Sequence, residues 1–307
     1  MRIKSILAVL FFTIVCLSNT QAQQQFEISE YMQNNFIYNP AAAGASDAPS
    51  VGAIYRKMWS GIDGGPQTSI LYGDKYFEKK KVGVAAFLYD DQTGPTSQTG
   101  GQVDLSYSVE LGSKDKRLMF GLAGMFFQYQ IDKGYLLNDP ITMGDATIQG
   151  ASDSKITGDA AAGVYLKTPT INIGASVEQI IHSKLDLLKE ISTVNTSLEA
   201  QLYRHYYVMA DYNWKVDEDN TLVPNALLKY LYNSPVDLQV GMNLEHKDIL
   251  TLGFGYHYLQ SYSFFAAVKV KHQLQIGYAF DQFVTPLSEF SNGSASNEIS
   301  LRYYFVK

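Results

Sequence analysis

Gln102-Val103-Asp104-Leu105-Ser106-Tyr107-Ser108-Val109-Glu110-Leu111 is the stretch that decides the fold. Val103, Leu105, Tyr107, Val109 and Leu111 fall on one side of an extended chain, and Gln102, Asp104, Ser106, Ser108 and Glu110 on the other. That period of two belongs to a β-strand with one apolar and one polar face. It returns as Val236, Leu238, Val240, Met242 and Leu244, as Leu250, Leu252, Phe254, Tyr256 and Tyr258, and as Leu274, Ile276, Tyr278 and Phe280. Fourteen such segments run along the chain, near 50–58, 67–75, 81–91, 99–111, 117–131, 155–168, 170–179, 202–216, 221–232, 235–246, 248–258, 262–271, 272–281 and 296–306. Many reach the roughly 9–11 residues that a tilted strand needs to cross a bilayer, and an even count suits a single-chain outer-membrane barrel. The expected fold is all-β, an antiparallel transmembrane barrel of about fourteen strands.

The connections carry an independent signal. Taken alternately, those near 76–80, 112–116, 168–169, 217–220, 247 and 271 are short, whereas the other set includes 132–154, 180–201 and 282–295. Short periplasmic turns opposite longer loops are expected of such barrels, which puts both termini in the periplasm. A secreted β-sandwich also alternates, but it seldom needs fourteen strands and gives no reason for unequal loops. Tyr55, Trp59, Tyr72, Tyr89, Tyr107, Tyr212, Trp214, Tyr256, Tyr258 and Tyr303 lie near strand ends and are expected as headgroup girdles. The inward faces carry Gln102, Asp104, Ser106, Gln239, Asn243, Gln273 and Gln275, which fits a wet interior.

Composition narrows the function. Of 307 residues, 18% are charged and 13% aromatic, with a net charge of −6 that offers no attraction for nucleic acid. Apolar residues make up 46%, enough to bury a core, so disorder is excluded. Arg2 and Lys4, the apolar run Ile6 to Leu17 and the small residues of Thr20-Gln21-Ala22 form a Sec-type signal over 1–22. The run is short for an anchor, and Val15 before Cys16 does not suit a lipoprotein site. Removing this segment takes two cations and the single cysteine, leaving 22 basic against 30 acidic side chains and no thiol chemistry. The expected organisation is a signal over 1–22, a periplasmic or lumenal segment over 23–49 and the barrel over 50–307.

Catalytic chemistry is hard to find. His182, His205, His246, His257 and His272 are scattered, without metal-ligand spacing, and there is no G-x-S-x-G elbow. Gly253-Phe254-Gly255 lies within a strand and precedes no helix. Glu27, Glu30, Asp47 and Asp63 do not match a calcium loop. No catalytic residue, metal or cofactor is expected.

Two stretches around the first strand stand out. Asn34 to Gly44 is small and turn-rich yet carries Phe36, Ile37 and Tyr38. Placed before a barrel, it either plugs the lumen or stays loose. Tyr55 to Thr68 contains Asp63-Gly64-Gly65-Pro66, strong turn chemistry after Trp59.

Together these stretches resemble the PorP/SprF family of type IX secretion outer-membrane proteins. Asn39, Pro40, Ala41 and Gly44 match its early Asn-Pro-Ala…Gly element. Tyr55, Arg56, Trp59, Gly61, Asp63, Gly64, Pro66 and Thr68 match the pattern that follows. The loop Asp91 to Pro95 and Phe120-Gly121-Leu122 add to the likeness. The resemblance implies an outer-membrane barrel of gliding, Bacteroidota-type bacteria, without enzymatic activity. It implies partners among other type IX components and secreted adhesin-like proteins bearing a C-terminal signal domain, with membrane lipid around the wall. Asn39, Pro40, Trp59, Asp63, Gly64 and Pro66 are the candidate partner-binding residues from the matched motifs. Tyr135, Leu136 and Leu137 join them because loop 132–154 is apolar enough to grip a protein. The alternative is a passive channel or a carrier of small hydrophobic molecules.

Overall fold

The computed structural model describes residues 25–46, 48–138, 153–183, 202–232, 234–285 and 295–306. The predicted signal, Asp47, Ile141, Met143 and Ile148 of loop 132–154, and most of 180–201 lie outside the described residues. Fourteen strands follow one another: β1 (Ser50–Lys57), β2 (Gln67–Phe77), β3 (Val82–Thr93), β4 (Thr96–Glu110), β5 (Arg117–Ile131), β6 (Asp153–Lys167), β7 (Ile171–Glu178), β8 (His205–Tyr212), β9 (Asn220–Leu231), β10 (Asp237–His246), β11 (Leu250–His257), β12 (Ser261–Val270), β13 (Leu274–Phe283) and β14 (Ala295–Tyr304). Each pairs antiparallel with its sequence neighbours, and β1 pairs with β14 from Ser50↔Tyr304 to Lys57↔Asn297, which closes the barrel.

Alternation fixes which face is which. Val103, Leu105, Tyr107 and Val109 point outward and are exposed, whereas Gln102, Asp104, Ser106 and Ser108 point inward and are buried. A one-residue slip would turn the carboxylate of Asp104 into lipid, so register here is strongly specified. Among the described residues, no helix is long and apolar enough to cross a membrane.

Local differences from the sequence reading have physical causes. The stretch read as a loop at Asp91 to Pro95 is mostly strand: β3 runs through Thr93 and Gly94-Pro95 forms the turn into β4. The eighth segment breaks at Asn213, beyond which Trp214–Lys215 resumes pairing with β9. Pro224, which has no N–H to donate, sits on β9 opposite this break. Tyr72 and Tyr89, read as girdle residues, are instead buried inside, while Tyr55, Tyr107, Tyr212, Trp214, Tyr258 and Tyr303 are exposed outside. Alternation alone distinguishes the two sets.

Residues 25–45 fill the lumen. Gln25 bonds Glu178 and Tyr207 near the long-loop ends of β7 and β8. The chain crosses this mouth to Ser29, whose N–H donates to Glu298 at 2.7 Å. It descends through the 3₁₀ segment Tyr31–Ile37, which kinks at Asn34. It then crosses the short-turn half through the 3₁₀ turn Pro40–Ala42. Phe26, Ile28, Phe36 and Tyr38 pack with Phe87, Tyr89, Phe127, Tyr165 and Tyr207 of the wall, so the main apolar core lies between this segment and the barrel. The two ends of the wall meet at the short-turn end, while Gln25 lies toward the other.

Candidate functional site: a lumen filled by its own chain

The fastening of the lower crossing starts with glycine. A Cβ built on Gly83 of β3 would lie 1.9 Å from the Ala43 carbonyl oxygen, and one on Gly121 of β5 would lie 2.2 Å from the Ala41 nitrogen. On Gly163 of β6 it would lie 2.1 Å from Asn39 Oδ1, and on Gly174 of β7 2.6 Å from Asn39 Nδ2. Four strands thus lack side chains where residues 39–43 press against them, an approach only glycine permits.

Polar contacts complete the cradle. Asn39 is fully buried; its Oδ1 accepts from Ala41 N–H at 2.9 Å, capping the turn. Its Nδ2 donates to the carbonyls of Val164 at 3.1 Å and Ala175 at 3.4 Å. Ser106 donates to the Ala43 carbonyl at 2.6 Å, Ser176 to the Tyr38 carbonyl at 2.5 Å, and the Gly44 N–H to Asp74 at 2.5 Å. Lys167 reaches the Ala45 carbonyl. Arg302 donates to the Gln33 carbonyl and to Asn34, each at 2.6 Å.

The upper crossing is held by charge. Lys229 of β9 bonds Glu27 at 2.5 Å and Asp237 of β10 at 3.1 Å, and His257 contacts Asp237. Glu27, Asp237 and His257 form the one group among the described residues with metal-ligand atoms within 4.8 Å of each other. The ammonium of Lys229 already bridges its two carboxylates. On the other side, Arg56 of β1 pairs with Asp281 at 2.9 Å and Glu298 at 3.4 Å and donates to Ser29 Oγ. Ser29 Oγ donates to Asp281 at 2.8 Å. A cavity of about 40 Å³ lies among these groups, room for a few waters. Below the segment, a larger cavity of about 540 Å³ is lined at the short-turn end by Asn213, Asp248 and His272.

The candidate residues separate into two places. Asn39 and Pro40 sit in the lumen. Trp59, Asp63, Gly64 and Pro66 form the β1–β2 connection at the long-loop end, with Asp63 and Gly64 exposed and Pro66 buried. Met58 N–H donates to the Pro66 carbonyl at 2.8 Å, Gly94 N–H to the Gly64 carbonyl at 2.9 Å, and Trp59 packs 6.3 Å from the Phe283 ring centroid. Tyr135, Leu136 and Leu137 lie on helix α1 (Lys133–Leu137), N-capped by Asp132. Tyr135 Oη comes within 3.1 Å of the Cβ position on Gly64, so this helix and the β1–β2 connection meet. Gly121 and Arg56 entered the sequence reading only as matched motif residues, without a role, and Gly83, Gly163, Gly174, Asp281, Glu298 and Lys229 were not named as working parts.

A closed antiparallel barrel with an apolar outer wall and a polar, occupied lumen defines an outer-membrane β-barrel protein. The toluene transporter TbuX of Ralstonia pickettii superposes with a TM-score of 0.51 at 11% identity, covering 94% of this chain and 97% of that one. The TodX deltaS2S3 mutant, a monoaromatic hydrocarbon channel, gives 0.51 at 11% identity over 94% and 96%. Omp33 of Acinetobacter baumannii gives 0.47 at 7% identity over 84% and 98%. At 11% identity the likeness to the first two is one of fold. No curated protein matches the sequence. The model for the type IX secretion system membrane protein PorP/SprF matches residues 20–303, and the chain belongs to that family. It is therefore an outer-membrane component of type IX secretion.

Proposed function

We propose that the protein is a non-catalytic receptor or anchor of the type IX machinery, with short turns and both ends of the wall in the periplasm. It engages a secreted protein's C-terminal signal domain or the periplasmic components of the system. One observation carries this reading: residues 25–45 cross both halves of the lumen and are fastened to the wall by more than a dozen side chains. A barrel so filled is suited to presenting surfaces rather than to conducting. The β1–β2 connection and helix α1 supply an outer surface, with Trp59, Asp63, Gly64 and Tyr135 side by side. In this reading residues 1–22 are the removable signal, 23–49 the segment that fills the lumen and 50–307 the wall.

The test is co-purification from native outer membranes in mild detergent, with planar-bilayer recording of the same preparation. Recovery of periplasmic type IX components or a secreted C-terminal domain, with a silent barrel, is the expected result. A barrel that comes out alone and conducts ions overturns the reading in favour of a passive channel. Deleting 132–154 is expected to abolish surface display of the partner while leaving the barrel folded; unchanged display removes that loop from the account.

A further inference from the structure

The chain is acidic overall, yet its short-turn end carries a basic patch. The β2–β3 turn contributes Lys79, Lys80 and Lys81, and the neighbouring β4–β5 turn contributes Lys114 and Lys116. The two turns are tied together. Lys114 bonds Glu78 at 2.7 Å, Lys81 pairs with Glu110 at 3.4 Å, and Ser108 N–H donates to the Lys81 carbonyl at 2.9 Å. The Lys114 ammonium also holds the Glu78 carboxyl below its usual range, so that pair stays ionised at neutral pH. These ties occupy the acids Glu78 and Glu110, so that within the two turns Asp115 is the acid left to oppose exposed Lys79, Lys80 and Lys116.

Position gives the patch its meaning. Lys75 lies on the outer face of β2, with its ammonium 4.8 Å above the Phe77 ring and directed toward the turn. Phe77, Val109 and Leu111 are exposed outward beside these lysines, so the apolar wall runs directly into the cationic turns. Apolar stems at the wall and ammonium groups at its edge form the arrangement that meets phosphate headgroups. Farther round the barrel the β8–β9 turn carries Asp217, Glu218 and Asp219, of which Asp219 pairs with Lys247 at 3.2 Å, and Lys215 lies beside them, so the acids still outnumber the cations there.

We propose that the paired β2–β3 and β4–β5 turns form a binding surface for anionic phospholipid headgroups of the leaflet at the short-turn end. The surface orients one side of the barrel toward negatively charged lipid and leaves the acidic β8–β9 side free of it. It is independent of which protein partner the barrel serves.

The probe is phosphatidylglycerol. Wild-type barrel is reconstituted in nanodiscs of equal phosphatidylglycerol and phosphatidylcholine, and the lipids retained on release are counted by native mass spectrometry. Wild type is expected to retain phosphatidylglycerol preferentially. Lys79→Gln, Lys80→Gln and Lys116→Gln together are expected to reduce the preference at least about tenfold, since each lysine near an anionic surface is worth roughly fivefold. Raising salt weakens the wild-type preference. Asp217→Asn with Glu218→Gln and Asp219→Asn does not reduce it. All these side chains are exposed on turns, and heat-modifiable mobility checks that each variant is folded. An absent preference in wild type, or one that survives the triple substitution, overturns the proposal. If the triple variant keeps its lipids but loses co-purifying type IX components, the patch serves an acidic protein instead. That outcome refutes the lipid assignment while the receptor reading stands.

Discussion

Replacing Asn39 by alanine tests how the lumenal segment is held. The change deletes three hydrogen bonds in a fully buried site: the cap to Ala41 N–H and the two to the carbonyls of Val164 and Ala175. At about 1 kcal/mol net for each, docking of residues 39–43 weakens by about 3 kcal/mol. This shifts the docked-to-undocked ratio on the order of a hundredfold. The reading uses a cysteine placed at Ala42, unique once residues 1–22 are removed because Cys16 is the only native one. Its labelling by a membrane-impermeant maleimide tracks the open population when opening is faster than modification. The Asn39→Ala variant is expected to label on the order of a hundredfold faster than its parent. Gly163→Ala should do the same by a different route, since the new Cβ would occupy the place of Asn39 Oδ1. Unchanged labelling in both variants would falsify the claim that this side chain pins the segment.

Three further outcomes follow from the geometry. Lys229→Met leaves Glu27 and Asp237 facing each other without their cation and is expected to destabilise the barrel by roughly 3 kcal/mol or more, read as the shift in urea unfolding of the heat-modifiable form. Trp59 holds a left-handed φ of 50°, so Trp59→Gly relieves about 1 kcal/mol of backbone strain and removes a similar ring contact with Phe283; global stability should move by less than about 1 kcal/mol, and a large loss would mean the ring matters more. Glu78, held below its usual pKa by the bond from Lys114, makes a tie present at and above the ordinary glutamate range and lost only on acidification beneath it. Hydrogen exchange at Ser108 should therefore be flat from neutral pH to about 5, once intrinsic rates are removed, and rise below the ordinary glutamate pKa.

The wall was legible because its physics is local. Val103 to Leu111 shows both faces within ten residues, and β3, β4, β5 and β6 are long enough to repeat the signal. The filling of the lumen was not legible, because it depends on residues far apart in the chain. Asn39 stood out as part of a motif, but the glycines it presses against lie on β6 and β7, more than 120 positions onward. A glycine in a strand announces close approach without saying what approaches. Tyr72 and Tyr89 were misplaced for a related reason: a tyrosine near a strand end suits a headgroup girdle or a lumenal core equally well. Only the register with Leu71 and Leu88, which face outward, assigns them inward.

The cluster around Ser29 has a consequence for how the molecule is made. Arg56 comes from the first strand, Glu298 from the last and Asp281 from the one before it, so these groups converge only where the two ends of the wall zip together. The cradle glycines, by contrast, all lie on β3 to β7, although Arg302 of β14 also bonds Gln33 and Asn34. Ser29, 269 positions from Glu298, therefore has its full set of partners only once the first and last strands are both in place. Latching of the long-loop mouth and closure of the cylinder thus depend on the same two strands, and a barrel still open at its seam is also an unlatched one.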